Sequence, residues 1–315
     1  MGMAIPGLKD IEGAERRIAG VASRTPLVES PALSKICGRE VFLKLECFQP
    51  IKVFKIRGAY NKIAQVKERA VVAASSGNHG IAVAYSSRML GKRCTVVVPE
   101  TIIKEKAEAI AEYGAEVVKV GRFSNEREAE ARKIAGATDS AFVHPFNDRD
   151  VVAGQGTCGL EISQQLNDFD SVLVPVGGGG LISGISIALK SQNPRLKIFG
   201  VEPEGAPKLT GALRAKKVVS VPSPASIADG LIPSALGDLT FDACSRYVDG
   251  AFTVSEDEIF NATRVMAKAA RIIAEPSGAA PLAPLLSHRG GLGERVVVVV
   301  SGGNVSRDVL LKVLT

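Results

Sequence analysis

The chain has 315 residues, 46% of them hydrophobic and 23% charged, with a formal net charge of +6 at pH 7. These are globular proportions and exclude a disordered or fibrous chain. No Trp, 5% aromatics and three scattered histidines (His79, His144, His288) argue against a stacking surface for single-stranded nucleic acid and against a His-built metal centre.

Most charges alternate in sign, as in Lys104-Glu105-Lys106 and Glu126-Arg127-Glu128, and read as solvated helix faces. The densest basic stretch, 214–217, is too short for a nucleic-acid footprint. Cys37, Cys47, Cys94, Cys158 and Cys244 are odd in number and lack a C-x-x-C pair, which fits a reducing cytoplasm better than a disulfide or zinc framework. No apolar core precedes Lys9 and Asp10, so no signal peptide is expected. The strongest apolar run, Val296 to Val300, is far below the roughly 20 residues that span a bilayer.

In chain order, strands are expected at 41–44, 71–74, 94–98, 116–120, 171–176, 197–201, 247–253 and 295–300. Helical patterns lie between them at 54–67, 80–90, 103–113, 125–134 and 181–191. Ser255 followed by Glu258 forms a capping box for a helix expected to run to Ile273. Near-continuous Val/Ile strands separated by helices indicate an α/β fold with parallel sheets covered on both faces. Residues 48–139 read as a small βα domain inserted into a larger one made of 1–47 and 140–315.

Three strand-end loops carry chemistry. Val172 to Val176 runs into Gly177-Gly178-Gly179-Gly180 and then an apolar helix from Leu181, an arrangement that aims backbone N–H groups and a helix dipole at a phosphate. A plain flexible turn is the simpler reading. The glycines do not fit G-x-G-x-x-G, so a nicotinamide cofactor with Glu202 as its ribose acid is the runner-up. Ser75-Ser76-Gly77-Asn78-His79-Gly80 follows a strand and opens a helix; it suits a carboxylate, or only a helix cap. Ser301-Gly302-Gly303-Asn304 ends the last strand. Lys55 either snorkels to solvent or, desolvated beside a phosphate cofactor, forms a Schiff base.

Lys55-Ile56-Arg57-Gly58-Ala59, 75–80, Ala153-Gly154-Gln155-Gly156-Thr157, the tetraglycine and 301–304 occur in an order that closely resembles the fold-type II pyridoxal-phosphate (PLP) enzymes, in particular the serine racemase and threonine/serine dehydratase family. Ile227-Ala228-Asp229-Gly230 and Glu275-Pro276-Ser277-Gly278-Ala279 resemble it too. The resemblance covers nearly the whole chain. It implies a tryptophan synthase β-like fold, a homodimer, pyridoxal 5′-phosphate as cofactor and a small amino acid as substrate, with no nucleic-acid or membrane partner. Lys55 would carry the cofactor and exchange the α-proton, Phe54 would flank it, and Asn78 would bond its 3′-oxygen. Gly177, Gly178, Gly179, Gly180 and the N–H of Leu181 would cradle the phosphate, with Ser301 facing the pyridine nitrogen. Ser75, Ser76 and His79 would lie along the substrate carboxylate. The implied reaction is β-elimination of L-serine or L-threonine to a 2-oxo acid and ammonia. Alternatives are a primary serine racemase, with Ser76 as the acid on the second face, and a non-catalytic PLP- or nucleotide-binding protein.

Two departures from the family pattern matter. Ile51-Lys52-Val53 replaces the usual T-G-S, which makes Lys52 a competitor of Lys55. Glu202 and Ala206 match a divalent-metal site, but Lys208 stands where its Asp belongs, so no metal is expected.

Overall fold

The computed structural model describes residues 4–75, 77–122 and 124–315. Its strands are β1 (Leu27–Glu29), β2 (Glu40–Leu45), β3 (Ala70–Ala74), β4 (Arg93–Val98), β5 (Glu116–Lys119), β6 (Ala141–Phe142), β7 (Ser171–Pro175), β8 (Lys197–Pro203), β9 (Gly250–Val254) and β10 (Arg295–Val300). They form a six-stranded sheet in the order β1-β2-β10-β7-β8-β9 and a four-stranded sheet in the order β5-β4-β3-β6. All pairings are parallel except β1 with β2. The buried parallel strands explain the Val-rich runs: Val296 to Val300 are fully enclosed between layers of helices.

The eight expected strands form with shifts of a few residues at most. Two were not foreseen, β1 and β6, because stretches of three and two residues carry no readable periodicity. β6 joins the smaller sheet although it lies just beyond the 48–139 segment. The helix after Ser255 has the expected capping box but spans Glu256–Lys268, stopping short of Ile273. Arg271 has a φ of 60°, a left-handed turn that no helix continues through.

A helix that the sequence reading missed occupies the centre. Arg149–Gln165 contains Gly154, Gly156 and Gly159, each costing about 1 kcal/mol of helix propensity. Packing outweighs that cost. A Cβ at Gly154 would overlap the Arg57 carbonyl and one at Gly159 the Ile185 carbonyl, so the glycines allow the Lys55–Ile63 and Gly180–Gln192 helices to approach backbone to backbone. The A-G-Q-G-T motif is therefore a packing device here.

Beneath the Lys55–Ile63 helix lies an ion network closed to solvent. Arg57 contacts Glu46 and Glu161, each at 2.7 Å, and Lys44 contacts Glu161 at 2.6 Å. Thr25 adds a bond to Glu46 at 2.6 Å. Burial pushes the Glu46 carboxyl up, but the Arg57 charge and its hydrogen bonds outweigh this and hold it well below the usual range. Every charge has a partner, and removing one would cost about 3–5 kcal/mol.

Candidate active site

The site lies at the carboxyl ends of the strands, in a cleft of about 1010 Å³ whose wall includes residues from both sheets' loops. The stretch 52–54 is clamped to the loop after β10: Val53 bridges Gly302, Phe54 N–H donates to the Ser301 carbonyl at 3.0 Å, and Gly303 N–H donates to the Lys52 carbonyl at 2.8 Å. This clamp starts the helix at Lys55 and brings buried Ser301 beside it. Lys55 Nζ donates to the Pro145 carbonyl at 2.8 Å and lies 5.2 Å from the Phe54 ring centre. Burial pulls its pKa down to about 8. Lys52, by contrast, is exposed and does not line the cleft, so of the two lysines only Lys55 faces it.

The tetraglycine follows β7 and opens the Gly180–Gln192 helix, with Gly179 at a φ of 90° as its N-cap. A Cβ at Gly177 would press on the Gly230 carbonyl, and one at Gly178 would land on the Phe146 ring. Thr240 Oγ1 donates to the Gly178 carbonyl at 2.8 Å and fixes the turn. A bare backbone turn at the positive end of a 13-residue helix suits a phosphate, and Gly177 to Gly180 with Leu181 all line the cleft. Together with a desolvated amine and the Ser301 loop, the residues present fit pyridoxal phosphate.

The 75–80 loop is more internally committed than expected. Ser75 Oγ accepts from Gly77 N–H at 3.1 Å and Gly80 N–H at 2.8 Å, and so serves as a cap. His79 Nε2 lies 3.0 Å from the Val143 carbonyl; a carbonyl only accepts, so the proton sits on Nε2 and Nδ1 is left without one. Burial, aided by the Lys55 charge, lowers the His79 pKa to about 3. Its neutral ring thus has no N–H to spare for a substrate carboxylate. Ser76 lies outside the described residues.

Asn78 is held at both ends of its amide. Nδ2 donates to Glu275 Oε1 at 2.7 Å, and Oδ1 accepts from Asn304 Nδ2 at 2.8 Å. The E-P-S-G-A motif gives no sign of a role for the Glu275 side chain. It is buried and lines the cleft, and burial followed by the Asp229 charge raises its pKa to about 7.

Sequence reasoning also missed His144. Its Nδ1 accepts from Phe146 N–H at 3.2 Å and Asn147 N–H at 2.8 Å, shaping the turn that presents the Pro145 carbonyl to Lys55. Burial lowers its pKa to about 4. A histidine without motif spacing gave no signal. Lys106, on the helix Lys104–Glu112 beside the smaller sheet, pairs with Asp229 of the larger body across the cleft.

Glu202 lies near the end of β8 and does not line the cleft. It is wholly buried, and its carboxylate accepts from Leu209 N–H at 2.8 Å and Thr210 N–H at 2.7 Å. Lys208 Nζ donates to the Ala206 and Leu231 carbonyls, both at 2.8 Å.

The chain is similar to known proteins over most of its length. The family model described as "Pyridoxal-phosphate dependent enzyme" matches residues 18–302. The chain is 42% identical over 311 residues to L-threonine ammonia-lyase of Thermotoga maritima, covering 98% of this chain and 78% of that one. It is 37% identical over 321 residues to serine racemase of Dictyostelium discoideum, covering 99% of each. Among solved structures, maize serine racemase superposes with a TM-score of 0.94 at 34% identity, covering 98% of this chain and 97% of that one.

Proposed function

The chain belongs to the pyridoxal-phosphate dependent enzyme family, and we propose that it converts L-serine and L-threonine to a 2-oxo acid and ammonia by β-elimination, with serine racemisation as a second outcome. The observation that carries this reading is the Lys55 amine, desolvated and facing a cleft whose other walls are the tetraglycine turn and the Ser301 loop.

Pyridoxal phosphate, when bound, supplies an electron sink for the charge left at the substrate Cα. Lys55 would hold the cofactor and move the Cα proton; a pKa lowered to about 8 frees a larger fraction of its amine near neutral pH than an ordinary lysine offers. Phe54 would flank the cofactor, Asn78 would face its 3′-oxygen, and the N–H groups of 177–181 would hold its phosphate. Ser301 puts a hydroxyl where a carboxylate would hold a full positive charge at the ring nitrogen. A cofactor held this way would be a moderated electron sink, suited to loss of the β-hydroxyl rather than to longer-lived carbanion chemistry. Hydrolysis after loss of water then releases ammonia.

The substrate carboxylate meets the start of the Asn78–Met89 helix, with the backbone of Ser75 and His79 and the hydroxyl of Ser76 as its surroundings. By the family resemblance, Ser76 is the acid for the second face. The body around the smaller sheet, 48–139, closes on that of 1–47 and 140–315 and excludes water. The enzyme works as a cytoplasmic homodimer, a reading supported by five free, buried cysteines for the compartment and by family habit for the assembly. Among the described residues, no helix is long and apolar enough to cross a membrane.

Ammonia and D-serine are to be assayed together on L-serine and L-threonine. Turnover to pyruvate or 2-oxobutanoate is expected, and its absence would leave the non-catalytic alternative standing. Ser76→Ala is expected to lose D-serine formation more than ammonia release. Equal loss of both would remove Ser76 as the second-face acid.

A further inference from the structure

We propose that Glu275 is a positioning residue: together with Asn304 it clamps the Asn78 amide so that one N–H is left to point at the cofactor's ring oxygen. The amide oxygen of Asn78 is taken by Asn304 Nδ2 at 2.8 Å, and one of its two N–H groups by Glu275 Oε1 at 2.7 Å. Among the described residues the other N–H is the one donor of this amide left unassigned, and Asn78 lines the cleft. An unclamped amide can rotate by half a turn and present its oxygen instead, which would repel an anionic ring oxygen.

The clamp is built into the fold. Glu275 N–H donates to the Gly302 carbonyl at 3.1 Å, and a side chain at Gly302 would collide with Glu275 Oε1. The loop that carries Ser301 is therefore shaped around this carboxylate. Asn304 Nδ2 also reaches the Ile51 carbonyl at 3.2 Å, which ties the other jaw to the stretch leading into Lys55. Three segments far apart in sequence thus converge on one amide.

The inference rests on the assignment of Asn78 to the ring oxygen, so the test reads the bound cofactor directly. The visible absorption maximum and the apparent Kd for pyridoxal phosphate are measured for wild type, Asn78→Ala, Glu275→Ala, Glu275→Gln, Asn304→Ala and the Asn78→Ala/Glu275→Ala double variant. Glu275→Ala is expected to shift the maximum and weaken binding about tenfold, the scale of a lost charge-assisted hydrogen bond. The double variant should be no weaker than Asn78→Ala alone. Glu275→Gln, whose amide oxygen accepts the same N–H, should restore both readings. Should Glu275→Ala fail to fold, Asn304→Ala opens the same clamp from its less buried end and should shift the maximum in the same direction. A shifted spectrum for Asn78→Ala with unshifted Glu275→Ala or Asn304→Ala overturns the clamp; so does additivity in the double variant. An unshifted Asn78→Ala overturns the underlying assignment, and the clamp with it.

Discussion

Lys208 Nζ lies 3.7 Å from the Glu202 carboxylate while donating its two 2.8 Å bonds to backbone carbonyls, of Ala206 and Leu231. A tethered ammonium therefore meets the oxygens that, by resemblance, would surround a divalent cation. Burial lowers its pKa to about 8 against the pull of Glu202, which leaves it charged at pH 7. Activity is expected to survive EDTA unchanged. Lys208→Met should lower stability by about 3 kcal/mol in denaturant titration, since it strands a buried carboxylate. Loss of most turnover on chelation would contradict this reading.

Lys52 has a φ of 62°, the conformation that glycine adopts freely, and the family's usual residue there is glycine. Its neighbours Ile51 and Val53 are buried, so the backbone has no room to relax. Lys52→Gly should raise stability by about 0.5–1 kcal/mol, the left-handed penalty less the added chain entropy. Thermal melts check the sign, and the bound-cofactor absorption should persist. Lys55→Ala should abolish that absorption, and its survival through attachment at Lys52 would reverse the choice of lysine.

Cofactor capture requires an unprotonated amine at Lys55. With its pKa drawn down to about 8 by burial, the rate of uptake by apoenzyme should rise with pH and level off just above that value. An ordinary lysine would keep rising towards 10.5. Stopped-flow absorbance across pH 6 to 10 separates the two.

Folding places His79 in a site where its pKa is about 3, against 6.5 for the free side chain. Below the higher value the unfolded chain takes up a proton that the native one refuses, so stability falls as pH drops from 6.5 towards 3. His144, lowered to about 4, acts in the same direction. His79→Gln should flatten the acid side of a plot of Tm against pH, and an unchanged slope would assign the acid sensitivity elsewhere.

Gly178 and Gly154 both forbid a side chain, for different reasons. At Gly178 the obstacle is the Phe146 ring, which can move; at Gly154 it is the Arg57 carbonyl and the Gly58 backbone, which cannot. Gly178→Ala is expected to keep its fold and lose cofactor affinity at least tenfold. Gly154→Ala should lose about 1–3 kcal/mol of stability. Paired melts and cofactor titrations of the two variants would reveal the opposite pattern if the roles were exchanged.

The parallel strands were legible because Val and Ile declare a strand buried on both faces, as Val296 to Val300 do. The Arg149–Gln165 helix was not, because glycines chosen for close approach erase the periodicity that marks a helix. The site divided in the same way. Lys55 and the tetraglycine announce themselves as local patterns. Glu275 and the Pro145 carbonyl act through partners distant in sequence, such as the Asn78 to Glu275 bond across 197 positions. No window on the sequence holds both ends of such a bond.

The Arg57, Glu46, Glu161 and Lys44 charges set the helix that begins at Lys55, and none of them has more than 7% of its side chain exposed. Dissolved ions screen only what they can approach, over a Debye length of about 8 Å at physiological strength. Raising the salt should loosen surface pairs such as Arg132 with Glu128 and leave this anchoring untouched. The amine is thus held by electrostatics that the medium cannot dilute, and its placement belongs to the fold alone.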